Sequence, residues 1–121
     1  LEVFSMSVGN IKDLNKIDVN HPSALNASMK VLVSPNEGWA GYVMRHVEVE
    51  EGGYTPKHSH PWPHINYMIE GEGELFINGK INKVTPGSYA YVPSDSLHQF
   101  RNAGKGLFKF ICIVPEEGHK V

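Results

Sequence analysis

The chain has 121 residues, 40% hydrophobic and 20% charged, which is enough for one globular domain with a modest core and too little for two. Its formal net charge of −2 and scattered lysines supply no basic stripe, which argues against a nucleic-acid partner. The lone cysteine, Cys112, excludes an intramolecular disulfide, and no apolar run nears the roughly 18 residues of a membrane span. The chain opens at Leu1 rather than methionine, which leaves room for residues before it, so a cytoplasmic location is a default expectation.

Residues 1–28 read as an N-terminal arm without a helical stripe. Val3-Phe4 and Ile11 to Ile17 are short strand pieces, and Asn20 to Ser28 is a polar loop in which His21 precedes a proline. Met29 to Val33 is predicted as a strand, closed by Ser34-Pro35-Asn36-Glu37-Gly38. From Gly41 to Glu50, Val47 and Val49 alternate with Glu48 and Glu50, so the valines mark a buried face. The same period puts Val43 and Arg45 inward, and Met44 and His46 with the glutamates. Arg45 then either faces a ligand or snorkels from the strand end to solvent.

Pro56-Lys57-His58-Ser59-His60-Pro61-Trp62-Pro63-His64 brings three imidazoles close together in the chain. On an extended strand i and i+2 share a face, so His58 and His60 can grip one ion jointly. The prolines around Trp62 cannot continue a central strand, so the chain should turn there and His64 should open the next strand. Neutral imidazole is the commonest protein metal ligand, and His98 is the candidate fourth donor from elsewhere in the chain.

On the strand after His64, Asn66 and Met68 share the ligand face, and Ile65, Tyr67 and Ile69 lie outside, where a second layer or subunit should cover them. Glu70-Gly71-Glu72-Gly73-Glu74 reads as a solvated turn. Asn78-Gly79 between apolar runs signals a tight hairpin. Thr85 to Ser88 is a further turn and Tyr89 to Val92 a strand. His98 alternates with Phe100 and Asn102, which puts Phe100 toward the metal and Gln99 and Arg101 away from it. Lys109 should face solvent, sending Phe108, Phe110 and Cys112 inward, with Cys112 a small buried hydrophobe or a pocket-lining residue. The tail from Pro115, with His119, is expected to be exposed and mobile.

Many short strands between turns, with hardly any helical period, predict an all-β sandwich or barrel. At the histidines the chain resembles the cupin family. The first cupin motif, G-x5-H-x-H-x3,4-E-x6-G, reads Gly52-x5-His58-x-His60-x3-His64-x6-Gly71, and the second, G-x5-P-x-G-x2-H-x3-N, reads Gly87-x5-Pro93-x-Asp95-x2-His98-x3-Asn102. His64 replaces the usual glutamate, as in small single-domain cupins with four histidine ligands, and Asp95 replaces a turn glycine.

The resemblance implies one double-stranded β-helix (jelly-roll) domain over residues 1–121, with metal motifs at 52–71 and 87–102. It also implies one divalent metal per chain on His58, His60, His64 and His98, manganese foremost, with iron, nickel or zinc as alternatives. A homodimer is expected, since small cupins commonly pair. Four neutral ligands leave the ion its full charge and open positions, which suits an anionic guest. The expected guest is a small carboxylate such as oxalate, in a pocket formed by Arg45, Trp62, Phe100, Phe110 and Cys112. The expected function is carboxylate binding with oxalate decarboxylase-like or dioxygen chemistry, or alternatively a non-catalytic small-anion binding or sensing module. A purely structural metal is disfavoured, because structural sites are closed.

Overall fold

In the computed structural model, which describes residues 7–119, nine strands form a nearly closed antiparallel barrel with jelly-roll topology. They are β1 (Ile17–Asp18), β2 (Leu25–Val33), β3 (Tyr42–Tyr54), β4 (His64–Glu70), β5 (Gly73–Ile77), β6 (Lys80–Val84), β7 (Tyr89–Val92), β8 (His98–Asn102) and β9 (Phe108–Pro115). The ladder runs β6-β5-β8-β3-β9-β4-β7, with β2 also on β3 and β1 on β2. Val3-Phe4 lies outside the described residues. No described helix is long and apolar enough to cross a membrane.

Strand β3 joins the two halves of the barrel. Its residues 42–49 pair with β9, while Tyr54 at its other end pairs with Arg101 of β8. Between them Gly52 takes φ +78, a left-handed conformation that costs glycine little and lets the strand turn the corner. This gives the first motif glycine a physical role. Asp95, where the second motif has glycine, also holds a positive φ of 65, which Asp tolerates better than most residues. The Asn78-Gly79 hairpin forms as expected: both residues have positive φ, and Ile77 pairs with Lys80 across a two-residue turn.

Strand alternation fills the interior. Val43, Val47 and Val49 of β3, Met68 of β4, Phe100 of β8, and Phe108, Phe110 and Val114 of β9 are buried. The rings of Phe100 and Phe110 stack with centroids 4.4 Å apart. Outside, Ile65, Tyr67 and Ile69 are 51%, 53% and 42% exposed, so the period-two assignment of β4 holds on both faces. Lys109 faces out between Glu48 and Glu70, at 3.9 and 3.6 Å.

Five local expectations are corrected. The solvated turn read from Glu70 to Glu74 narrows to Gly71-Glu72, because Glu70 ends β4 and Gly73 and Glu74 open β5, with Gly73 buried. The loop drawn through Ser28 ends earlier, because Leu25 begins β2 and Ala27 and Ser28 are buried against β3. Ile11–Asp13 is a 3-10 turn rather than a strand piece, capped by the Asn10 side chain. His46 lies on the outer face as predicted but is 3% exposed. Its β2 neighbour Lys30 bonds the carbonyl of Ile11, and Glu48 and Lys109 also lie near the ring. The start of the tail is also held: Glu116–Gly118 form a 3-10 turn, and a Cβ at Gly118 would collide with the Trp62 indole, so only glycine permits this close packing. His119 is half-buried.

Candidate functional site

Two strands and one extended segment bring the histidines together. His64 is the first residue of β4 and His98 the first of β8. His58 is joined to His98 by a two-bond antiparallel bridge outside the regular strands, and the Asp95 amide donates to the His60 carbonyl at 2.7 Å. His58, His60 and His98 offer ring nitrogens within 4.8 Å of one another, and His64 joins them through His98, Nε2 to Nε2, at 3.1 Å.

Hydrogen bonds at the far side of the rings orient three of them. Nδ1–H of His60 donates to the Trp62 carbonyl at 2.7 Å and that of His98 to the Ser96 carbonyl at 2.8 Å. Nδ1–H of His64 donates to Oδ1 of Asn66 at 2.6 Å. The carbonyls fix the tautomer of His60 and His98 that leaves Nε2 as a lone pair, and Oδ1 of Asn66 supports the same tautomer at His64, the usual arrangement behind a metal-binding histidine. In that tautomer the lone pairs of His64 and His98 face each other, Nε2 to Nε2, across 3.1 Å. Such a contact is repulsive unless an electron-pair acceptor sits beside it. Ligands at right angles on an ion with metal–nitrogen bonds of about 2.1 Å stand roughly 3 Å apart, so the spacing fits shared coordination.

Burial also keeps the rings neutral. Desolvation pushes His58, His64 and His98 down to about 4, with neighbouring imidazoles adding to it at His58 and Arg45 adding to it at His64. His60 is lowered as well, chiefly by burial, against the opposing effect of its bond to the Trp62 carbonyl. Unprotonated imidazoles at neutral pH are the form a metal requires. The cluster can therefore hold a metal ion.

The histidines open into a cavity of about 460 Å³. Arg45, Trp62, Phe100, Phe110 and Cys112 all line it. Trp62 stacks on His60 with centroids 4.8 Å apart, and Arg45 lies inside the barrel with Nη2 3.1 Å from Cys112 Sγ. Asn66 was placed on the correct face by strand period but not chosen as a site residue, although its place two residues after His64 on one strand is the signal that could have found it. The segment Ile17 to His21 also borders the cavity. Nothing in the local sequence of the arm signals this, because β1 reaches the mouth only by pairing with β2.

A jelly-roll barrel with clustered histidines at one end defines a cupin-type protein. The chain belongs to the cupin family: the family profile for the cupin domain matches residues 45–114. Among solved structures it is similar to the polyketide cyclase RemF from Streptomyces resistomycificus, with 26% identity, TM-score 0.85, and 92% of this chain and 80% of that one covered. It shares its fold with a predicted oxalate decarboxylase from Thermotoga maritima at 19% identity and TM-score 0.82, covering 90% of this chain and 98% of that one. The same holds for a cupin 2 conserved barrel domain protein from Rhodopseudomonas palustris, at 24% identity and TM-score 0.76, covering 86% and 72%. Comparison with curated proteins finds no significant match.

Proposed function

We propose that this chain binds one divalent metal ion through His58, His60, His64 and His98 and uses it to hold and activate an oxygenated organic guest. The convergence of four ring edges carries this reading: His58, His60 and His98 offer nitrogens within 4.8 Å of one another, and Nε2 of His64 lies 3.1 Å from that of His98. A divalent ion held here supplies Lewis-acid polarisation of a bound carbonyl or carboxylate oxygen. The apolar rings of Phe100 and Phe110 exclude water and strengthen the attraction between the site and an anionic group. Arg45 supplies a fixed positive charge within the same cavity.

Cavity size refines the guest. A two-carbon dicarboxylate such as oxalate would leave most of 460 Å³ unfilled, whereas cavities of this size commonly enclose ring-sized molecules. We therefore favour a larger carboxylate or carbonyl compound, and likeness to a polyketide cyclase supports an enzyme acting on such a guest. Oxalate decarboxylation rests on shared fold alone. The neutral four-histidine set is compatible with manganese, iron, nickel or zinc.

Elemental analysis of protein purified without added metal, followed by calorimetry with oxalate and with phenylglyoxylate, tests the proposal. About one ion per chain and tighter binding of the aromatic acid are expected. Assays of dioxygen uptake and carbon dioxide release on the same preparation separate redox and decarboxylating chemistry from binding alone. Absence of metal from protein refolded with each candidate ion would overturn the reading.

A further inference from the structure

Asn66, Cys112 and Arg45 stand in one row across β4, β9 and β3, since Cys112 pairs in register with both Asn66 and Arg45. Neighbouring strands are about 4.8 Å apart, so Asn66 and Arg45 approach the cavity from either side of the thiol. Both carry buried donors without a partner. Asn66 is 3% exposed and its Nδ2 bonds nothing, and the Nε of Arg45 is likewise buried and unpaired. Buried polar groups are nearly always satisfied, so two orphans lining one cavity call for an explanation.

The chemistry of the missing partner follows from the orientation of the amide. Oδ1 of Asn66 is committed to the Nδ1–H of His64. With Nε2 of His64 given to the ion, its Nδ1 carries the hydrogen, and turning the amide over would set N–H against N–H, so Asn66 then presents only its NH2 group to the cavity. Arg45 has donors and no acceptor. Asp18, at the exposed margin, is the only acidic residue among the described cavity-lining residues. At this row Cys112 Sγ accepts from Arg45 Nη2, while Arg45 Nε and Asn66 Nδ2 remain without an acceptor in the protein.

We infer that Asn66 and Arg45 form an oxygen-binding subsite that receives a carboxylate or carbonyl oxygen of the guest, separate from the oxygen held at the histidine cluster. This rests on the proposed metal-bound guest and adds its second point of attachment. The guest then carries at least two acceptor oxygens on an apolar body, and an amine or methyl group in place of the second oxygen is rejected because it leaves the donors unpaired. Asn66 also links the two attachments. An oxygen accepting from Nδ2 polarises the amide, strengthens the bond from His64 and makes its Nε2 a better donor. By reciprocity, guest and metal each tighten the other's binding.

Zinc-loaded full-length protein, wild type and Asn66→Asp, can be titrated by calorimetry with azide and with phenylglyoxylate. Azide needs only an open position on the metal, whereas phenylglyoxylate carries further oxygens. Aspartate keeps an acceptor for His64 but replaces the NH2 donor by a repelling oxygen. The expected result is a loss of phenylglyoxylate affinity at least tenfold greater than any change in azide affinity on the zinc-loaded variant. Equal phenylglyoxylate affinity, or parallel loss of zinc, azide and phenylglyoxylate, would overturn the subsite, the latter by showing that Asn66 only holds His64. If the wild type binds azide but not phenylglyoxylate, the subsite fails while the metal reading stands; if it binds neither, the metal-bound guest fails and the subsite with it. Should Asn66→Asp not fold, side-chain amide resonances of the wild type decide. The Asn66 NH2 should shift on adding phenylglyoxylate and stay in place on adding azide, and an unmoved NH2 under saturating phenylglyoxylate overturns the inference.

Discussion

Acidification should destabilise the metal-free protein well above the pH at which carboxylates titrate. His64 and His98 are only 6% and 3% exposed, and burial lowers each from 6.5 to about 4. Unfolding returns both to water, where imidazole takes up a proton below about pH 6.5. Between these values the unfolded chain binds more protons than the folded one, so stability is fully present above pH 6.5 and is lost as pH falls toward 4. At roughly 1.4 kcal/mol per pH unit, either ring accounts for about 3 kcal/mol over that span. That is a large share of the roughly 5–15 kcal/mol that holds a typical domain together. Urea unfolding with a chelator present, followed by circular dichroism from pH 7.5 to 4.5, measures it directly. The midpoint should fall steadily below pH 6.5. With saturating metal the protein should be more stable at pH 7, and the advantage should shrink on acidification as protons compete for the same lone pairs. An unfolding free energy of the metal-free protein that is flat from pH 7 to 4.5 would show that these rings are not buried neutral in solution.

Other consequences can be checked separately. His98→Ala should cut metal content well below one ion per chain, read by elemental analysis, and unchanged occupancy would remove His98 from the ligand set. Arg45→Ala should retain the metal and weaken a bound carboxylate by about 1.5–3 kcal/mol by calorimetry, the range for a hydrogen bond to a charged group. Phe110→Ala, at a ring 2% exposed and stacked on Phe100, should cost about 3–5 kcal/mol in chemical denaturation, and a loss under 1 kcal/mol would mean that the wall is loosely packed. We also propose a homodimer in which a second copy covers the outer face of β4 and β7, where exposed Ile65 lies beside Tyr91 and Tyr67 beside Tyr89. Both charge signs occur nearby, in Lys109 with Glu48 and Glu70, so two like faces meet without uniform repulsion. Sedimentation at micromolar concentration should show a dimer that Tyr67→Glu dissociates, and a wild-type monomer would contradict it.

Features that depend on neighbours in the chain were legible from the amino acids alone. Side chains alternate with period two, so Val43, Val47 and Val49 declared the inner face of β3, and Ile65, Tyr67 and Ile69 the outer face of β4. Asn78-Gly79 named its hairpin because two successive positive φ angles suit few other residue pairs. The spacing of His58, His60, His64 and His98 pointed to one centre through its resemblance to the cupin motifs. What only the tertiary structure decided are relations between segments far apart in the chain. His46 is buried although it lies on the outward face, amid the charged groups of Lys30, Glu48 and Lys109. The tail is packed because Gly118 lies against Trp62, and the arm reaches the cavity because β1 pairs with β2. Asn66 could be placed beside His64 on one face of β4 by counting, but that its NH2 is buried without a partner is decided by the strands packed around it. Periodicity tells which way a side chain points; what it meets there is set by burial and by register with other strands, which no local pattern encodes.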